Sequence, residues 1–252
     1  MSAPLLLPDG KTLALGGAGE AVVLFDIEKR KIVARLAGDE KYPSKFPKGF
    51  KPESGAEFRI YSEHATAKIA ASPDGKRLAV STSGGWLSVW DVAARKRLWH
   101  DRDGDNSSGN IGPHLSMSFS PDGETLATIA TGSQDIRFHA AKSGKQRFAV
   151  TRRAEMFAHY LPDGSMILDR RFVWQRSGGF APHPYGRFGF TRWRPADDAY
   201  WEMWDYPDHE DAPKLDLSPA LMAVSANGHV VAHYGQRQGL VAYDLTRFWP
   251  RR

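Results

Sequence analysis

Cysteine is absent from the 252 residues of this sequence. Its absence excludes disulfide bonds, thiolate metal sites, iron–sulfur clusters and a cysteine nucleophile. A reducing cytoplasm and a periplasm are both compatible with a cysteine-free chain, so the composition does not select a compartment.

Long apolar runs are also absent, and none approaches the roughly 20 residues that a membrane-spanning helix needs. The first residues, Met1 to Leu7, include no basic segment and only a three-residue apolar stretch. We therefore expect no signal peptide and no membrane span. The expectation that follows is a cytoplasmic protein, with a periplasmic or secreted location as the alternative if a segment upstream of Met1 is missing.

A strong charge of either sign is missing as well. The net charge is +5 at pH 7, with 41% hydrophobic and 25% charged residues. Such a composition is ordinary for a globular protein and unlike that of a disordered chain. The mild positive excess permits an acidic partner without requiring one.

Familiar catalytic motifs are lacking, since no G-x-S-x-G, H-E-x-x-H or phosphate-binding loop occurs. His229 and His233 would form a metal pair on a helix, but they follow an Asn-Gly turn and lie in a predicted strand. Four residues of a strand span about 13 Å, which is too far to share an ion. We predict no catalytic residue, no metal site and no cofactor.

A short turn recurs along the chain in place of these motifs. Asp-Gly and Asn-Gly pairs adopt the positive φ angles of tight hairpin turns, and the preceding proline fixes its own φ. Each copy is followed by an alternating or β-branched run, which predicts a series of antiparallel strands. The copies are Pro8-Asp9-Gly10, Pro73-Asp74-Gly75, Pro121-Asp122-Gly123, Pro162-Asp163-Gly164 and the looser Ala226-Asn227-Gly228.

A second feature lies 17 residues after the Asp or Asn of four of these turns. There an aromatic residue stands next to a polar one, in Phe25-Asp26, Trp90-Asp91, Phe138-His139 and Tyr243-Asp244. In the fourth unit the matching pair is Trp204-Asp205, which lies 42 residues after Asp163 and predicts an insertion.

These repeats resemble those of WD40-type β-propellers, whose blades take roughly 40–45 residues. Trp90-Asp91 and Trp204-Asp205 carry the dipeptide itself. The Gly-His pair that usually opens each unit is absent, with only His64 and His114 near its place. The family's hydrogen-bond network is therefore incomplete, and in the second unit it would join His64, Ser81 or Thr82 and Trp90.

The resemblance implies an all-β propeller of four-stranded antiparallel blades in one domain over residues 1–252. We predict five blades, and the alternative is six, with Arg171–Gln175 as a third strand and 180–217 as a degenerate blade. No spare terminal strand is visible. We expect either that Phe248-Trp249 completes the last blade and the ring closes by side-chain packing, or that the propeller is incomplete or open and the chain is a portion of a larger one. Unpaired blade edges would then allow self-association. The predicted blades are 4–40, 65–101, 113–151, 154–217 and 218–250, with insertions at 41–64 and 176–199.

The resemblance also implies a non-catalytic scaffold that binds a protein partner. The four strands of each blade are called a to d in chain order, with the Pro-Asp-Gly turn between a and b. In an up-and-down sheet, links between strands a and b and between c and d lie at one end. The b–c and d–a links lie at the other end, where the long connections 41–64, 101–112 and 176–199 would gather. Loops on a rigid scaffold commonly carry binding. The predicted partner contacts are Phe46, Phe50, Arg187, Phe188, Arg192 and Trp193.

Two alternatives remain at this point. The insertions mix basic and aromatic residues, which also suits nucleic acid, although less well than a protein partner. An enzyme or small-ligand binder of the hydrolase or lactonase kind would need polar side chains from several blades to meet on the propeller axis.

Overall fold

The fold is taken from a computed structural model. It describes residues 4–17, 22–37, 65–102, 114–130, 135–151, 157–170, 172–175, 179–182, 189–196, 199–202, 217–225, 227–235 and 239–244. Within these ranges every regular element is a β-strand. The predicted all-β class is therefore confirmed.

The strands form successive antiparallel meanders, which we call blades one to five. Blade one contains β1 (Leu5–Leu6), β2 (Thr12–Gly16), β3 (Val22–Asp26) and β4 (Lys31–Leu36). Blade two contains β5 (Thr66–Ala71), β6 (Arg77–Thr82), β7 (Trp86–Asp91) and β8 (Lys96–Arg102). Blade three contains β9 (His114–Phe119), β10 (Thr125–Ala130), β11 (Asp135–Ala140) and β12 (Gln146–Thr151).

Blade four begins with β13 (Ala158–Tyr160) and β14 (Met166–Arg170). A separate hairpin of β15 (Phe172–Gln175) and β16 (Gly179–Pro182) follows. The blade is then completed by β17 (Gly189–Arg194) and β18 (Ala199–Glu202). Blade five shows β19 (Leu217–Val224), β20 (Val230–Gly235) and β21 (Gly239–Asp244).

Each a–b turn is held by side-chain hydrogen bonds that the repeat itself supplies. In blade three, the Ser120 hydroxyl donates to Asp122 Oδ1 at 2.5 Å and accepts from the Thr125 amide at 2.9 Å. The Glu124 amide also donates to Asp122 Oδ1 at 2.9 Å. Gly123 completes the turn with φ +70°, a conformation that favours glycine. Asp and Ser therefore replace the backbone partners that a sharp turn cannot provide.

This turn network gives a first prediction, for Ser120→Ala. The Ser120 side chain is buried, and its loss removes the acceptor of the Thr125 amide and one of the donors to Asp122. We expect the free energy of unfolding to fall by about 1–3 kcal/mol. Urea denaturation measures the change. Ser143→Ala, at an exposed c–d turn residue, is the matched control and should cost under about 0.5 kcal/mol. Equal losses in the two variants would contradict this role of Ser120.

Consecutive blades pack face to face through alternate residues of their strands. Leu24 of blade one shares a hydrophobic cluster with Leu78 and Trp90 of blade two. On the other face of blade two, Val89 clusters with Phe119 of blade three. Because inner blades are covered on both faces, all six residues of β10 are buried.

The register of the strands corrects one aligned position. Leu13 lies opposite Phe25 in blade one, and Leu78 lies opposite Trp90 in blade two. In blade three the equivalent Leu126 lies opposite His139. His139, and not Phe138, therefore occupies the position of the repeat tryptophan. In blades one, two and five this position lies 16 residues after the Asp or Asn of the turn, whereas His139 lies 17 residues after Asp122. The aromatic residue of the pair is therefore displaced by one position in blade three.

Blade four departs further from the expectation. Its a–b turn is one residue shorter, because the Leu161 amide donates to the Ser165 carbonyl, whereas the Ser120 amide in blade three donates to Thr125. Met166 therefore matches Leu126 of blade three, and its partner across the strands is Trp193. The tryptophan position of blade four is filled by Trp193, and not by Trp204 as the spacing suggested.

The insertion in blade four is also displaced. We expected it at 176–199, yet Gly189–Arg194 is the third strand of the blade. The inserted hairpin lies between β14 and β17. Phe172–Gln175 pairs with Gly179–Pro182 and not with β14, which favours an insertion over a sixth blade.

Candidate functional site

The two ends of the blades differ in construction. The a–b turns are short and hydrogen-bonded, and the c–d turns at the same end are short as well. At the opposite end, the b–c link of blade four carries the β15–β16 hairpin. The expected long connections at 41–64 and most of 101–112 belong to this opposite end by strand parity and lie outside the described residues.

Four of the six predicted contacts, Phe46, Phe50, Arg187 and Phe188, lie outside the described residues. The other two are placed in β17 of blade four.

Arg192 is engaged with the a–b turn of its own blade. Its Nε donates to the Ser165 hydroxyl at 2.8 Å, and its Nη2 forms an ion pair with Asp163 Oδ2. Burial alone would raise the pKa of Asp163, but hydrogen bonds from Ser165 and the charge of Arg192 outweigh it and lower that pKa. Arg192 therefore lies at the short-turn end and stabilises the turn, which corrects its expected position among the long connections.

Trp193 belongs to the core. It is 1% exposed and packs edge-on against Phe138 of blade three, with ring centroids 5.9 Å apart. A side chain this deeply buried cannot contact a partner while the blade is folded, so the predicted surface role of Trp193 is corrected too.

The first strands of blades two to four bring two basic groups near each other. Lys68 of β5 donates to the Leu115 carbonyl of β9. In β13, burial lowers the pKa of His159 to about 4, and the charge of Lys68 contributes to that lowering. The Phe157 ring lies parallel to His159 at 6.0 Å. His159 is thus held neutral at pH 7 beside a fixed cation.

No group of three or more His, Asp or Glu side chains is placed to hold a metal ion among the residues that the structure describes. In the same part of the chain, no helix is long and apolar enough to cross a membrane.

A groove of about 540 Å³ opens between blades one and two at the short-turn end. Leu24, Val33 and Ala34 line one side, and Val92 and Ala93 line the other. Asp9 and Asp74, from the two a–b turns, lie on its rim with Arg95.

Both rim carboxylates are held ionised. The backbone amide of Lys11 and the hydroxyl of Thr12 lower the pKa of Asp9. The Ser72 hydroxyl, at 2.6 Å from Oδ1, lowers the pKa of Asp74.

Comparison with known proteins adds to this geometry. No protein-family model matches the chain. An uncharacterized WD repeat-containing protein of Synechocystis sp. is 25% identical over 171 residues, which cover 65% of this chain and 39% of that protein. The predicted resemblance to WD40-repeat propellers is confirmed. A chain in the crystal structure of the mitotic checkpoint complex has the same fold, with a TM-score of 0.59 and 14% identity.

The chain is shorter than both of these proteins. It spans 39% of the length of the Synechocystis relative. It aligns over 93% of its own length with 61% of the solved chain.

In blade two, Trp90 Nε1 donates to Ser88 at 3.0 Å, whereas the expected network would join it to Ser81 or Thr82. A serine that the turn motif does not include also holds three of the turns, at Ser72, Ser120 and Ser225. Its position is regular in the sequence, since it stands two residues before the Asp-Gly or Asn-Gly pair at those three turns.

Proposed function

We propose that this protein is a non-catalytic scaffold that binds a protein partner through the end carrying the long b–c and d–a links. The WD-repeat relative and the solved structural neighbour support an interaction scaffold in general terms. The observation that carries the choice of end is the asymmetry of the blades. The a–b turns are closed by their own hydrogen bonds, whereas a whole hairpin is inserted at the other end.

The proposed contacts are Phe46, Phe50, Arg187 and Phe188. Aromatic and arginine side chains dominate the binding energy of protein interfaces. Arg192 and Trp193 are no longer among them, because one holds a turn and the other is in the core.

A protein partner is favoured over nucleic acid on charge. The basic character expected for 176–199 depended partly on Arg192 and Arg194, both of which lie in β17. Arg192 is neutralised by Asp163 at the short-turn end. The basic surface available at the long-link end is correspondingly smaller.

Substitution at the proposed contacts tests this function. Phe50→Ala and Arg187→Glu should each weaken binding of an isolated partner by about tenfold or more, because interface anchors of these types commonly contribute about 2 kcal/mol. The partner is first isolated by cross-linking in cell extract, and its affinity is then measured with purified protein by calorimetry.

Lys76→Glu is the charge-matched control, since Lys76 is exposed at the short-turn end of blade two. It should leave the affinity unchanged. Wild-type affinity in both test variants, or a loss only in Lys76→Glu, would show that binding uses another surface.

A further inference from the structure

The groove between blades one and two exists because two large side chains are missing there. At the next junction, between blades two and three, Arg77 and Trp99 fill the equivalent space. Arg77 Nη1 donates to the Gly123 carbonyl at 2.7 Å, and Nη2 pairs with Glu124 at 3.0 Å. Trp99 Nε1 donates to the Ala141 carbonyl at 2.7 Å. The second junction is therefore closed by a guanidinium and an indole.

Strand register identifies the matching positions in blade one. Thr12 lies opposite Asp26 as Arg77 lies opposite Asp91. Ala34 lies opposite Leu24 as Trp99 lies opposite Val89. Thr12 and Ala34 are too short to cross to blade two, and both line the groove.

The c–d turn that faces this space also differs between the two junctions. Trp99 packs so closely on Gly144 that a Cβ there would lie 2.7 Å from the indole. The equivalent residue of blade two is Arg95, which keeps a positive φ of 55°. A side chain is tolerated at this position because no tryptophan lies against it, and Arg95 Nη2 instead donates to the Val33 carbonyl of blade one at 3.2 Å. The two junctions thus differ at three matched positions.

We infer that the open junction is a binding site for a protein segment that presents an arginine beside an aromatic side chain. Such a segment would supply the groups that close the neighbouring junction. Gly75, which lines the groove, is the counterpart of Gly123, whose carbonyl accepts from Arg77. The described lining holds two carboxylates, Asp9 and Asp74, against one cation, Arg95, whose Nη2 is engaged with the Val33 carbonyl. The net negative charge of this lining favours a guanidinium, and the apolar walls accept the ring. This site lies at the short-turn end and is additional to the proposed partner-binding end.

Four fluorescein-labelled peptides test the inference, each with one arginine and one tryptophan separated by zero to three glycines. Fluorescence anisotropy at low salt should show binding of at least one of them to the full chain. Replacing its arginine by citrulline, or its tryptophan by alanine, should weaken binding about tenfold or more, because each change removes one of the two groups.

Two protein variants separate the groove from the rest of the surface. Thr12→Arg/Ala34→Trp/Arg95→Gly transfers the closed junction to blades one and two and should abolish peptide binding. Asp9→Asn/Asp74→Asn removes charge only, and we expect about tenfold weaker binding. Asparagine suits such a turn, because Asn227 accepts from Ser225 and His229 in blade five. Asp122→Asn, on the turn of blade three, is the matched control and should bind like the wild type.

Three results would overturn the inference. The first is the absence of binding up to about 1 mM peptide, and the second is binding that persists unchanged in both groove variants. The third is binding that appears only after Arg247→Gln/Trp249→Ala, which would show that the groove belongs to the chain's own C-terminal segment. None of these results affects the proposed partner-binding end, since that test uses different residues and a different ligand.

Discussion

Trp193→Ala is expected to lower the free energy of unfolding by about 3–5 kcal/mol, the range for removing a large aromatic side chain from a core. Trp193 is 1% exposed and lies in a cluster with Ile129 and Phe138 of blade three and Leu168 of blade four. Its removal opens a cavity between two blades as well as losing the edge-on contact with Phe138. Urea denaturation followed by circular dichroism measures the change.

Phe148→Ala is the matched control for this cluster. The Phe148 ring stacks on Phe138 with centroids 4.3 Å apart, but its side chain is 43% exposed. We expect a loss of no more than about 1.5 kcal/mol, because less apolar surface is returned to water. Trp193→Phe should fall between the two. A loss below about 1 kcal/mol in Trp193→Ala would mean that Trp193 is not a core residue.

This expectation bears on how partner binding is tested. A variant of Trp193 that fails to capture a partner would do so because the hydrophobic cluster between blades three and four is disrupted. Substitutions at exposed positions, with stability measured alongside affinity, are therefore needed to locate the interface.

Much of the fold could be predicted from the sequence because the turn residues are local signals. Asp-Gly and Asn-Gly pairs mark hairpin turns wherever they occur between apolar runs. Five such turns predicted five meanders, and the structure has a blade at each. The end of blade four at which the hairpin is inserted also followed from the order of the strands.

The position of Trp193 could not be read from spacing alone. Removing one residue from the turn between Leu161 and Ser165 shifts the register of the next strand, and a shift of one residue exchanges the two faces of a sheet. An inserted hairpin then moved the third strand farther along the chain. Trp193 is followed by Arg194 and not by the Asp of a Trp-Asp dipeptide, so the motif points to Trp204-Asp205 instead.

The groove between blades one and two could not be predicted from the sequence either, because it too depends on strand register. It depends on comparing Thr12 with Arg77 and Ala34 with Trp99, and those pairs are defined only by strand register. None of these residues belongs to a motif, so no local pattern distinguishes the open junction from the closed one.

Acidification should destabilise the protein well above the pH at which its carboxylates become protonated. His159 is neutral in the folded chain because burial, and then the charge of Lys68, lower its pKa from 6.5 to about 4. The unfolded chain takes up a proton on this residue near pH 6.5, while the folded chain does so only near pH 4. The stability that His159 contributes is therefore complete above about pH 7 and is lost progressively as the pH falls towards 4.

The size of this effect follows from the two pKa values. Between about pH 7 and pH 5, differential protonation of His159 should remove about 2 kcal/mol from the free energy of unfolding. The carboxylates of Asp9, Asp74 and Asp122, whose pKa values are lowered by hydrogen bonds, contribute little in this interval. Their stabilisation is lost mainly below about pH 5. The window from about pH 7 to pH 5 thus separates the contribution of His159 from that of these carboxylates.

His159→Gln provides the comparison, because glutamine is neutral at every pH in this window. Urea denaturation at intervals between about pH 7 and pH 5 should show a loss for the wild type that exceeds the loss for the variant by about 2 kcal/mol. His229→Gln, at the a–b turn of blade five, controls for removing a histidine elsewhere and should keep the wild-type slope. Parallel pH profiles for the wild type and His159→Gln would show that His159 titrates normally in the folded protein. Neither the charge of Lys68 nor burial beside the stacked Phe157 ring would then lower its pKa.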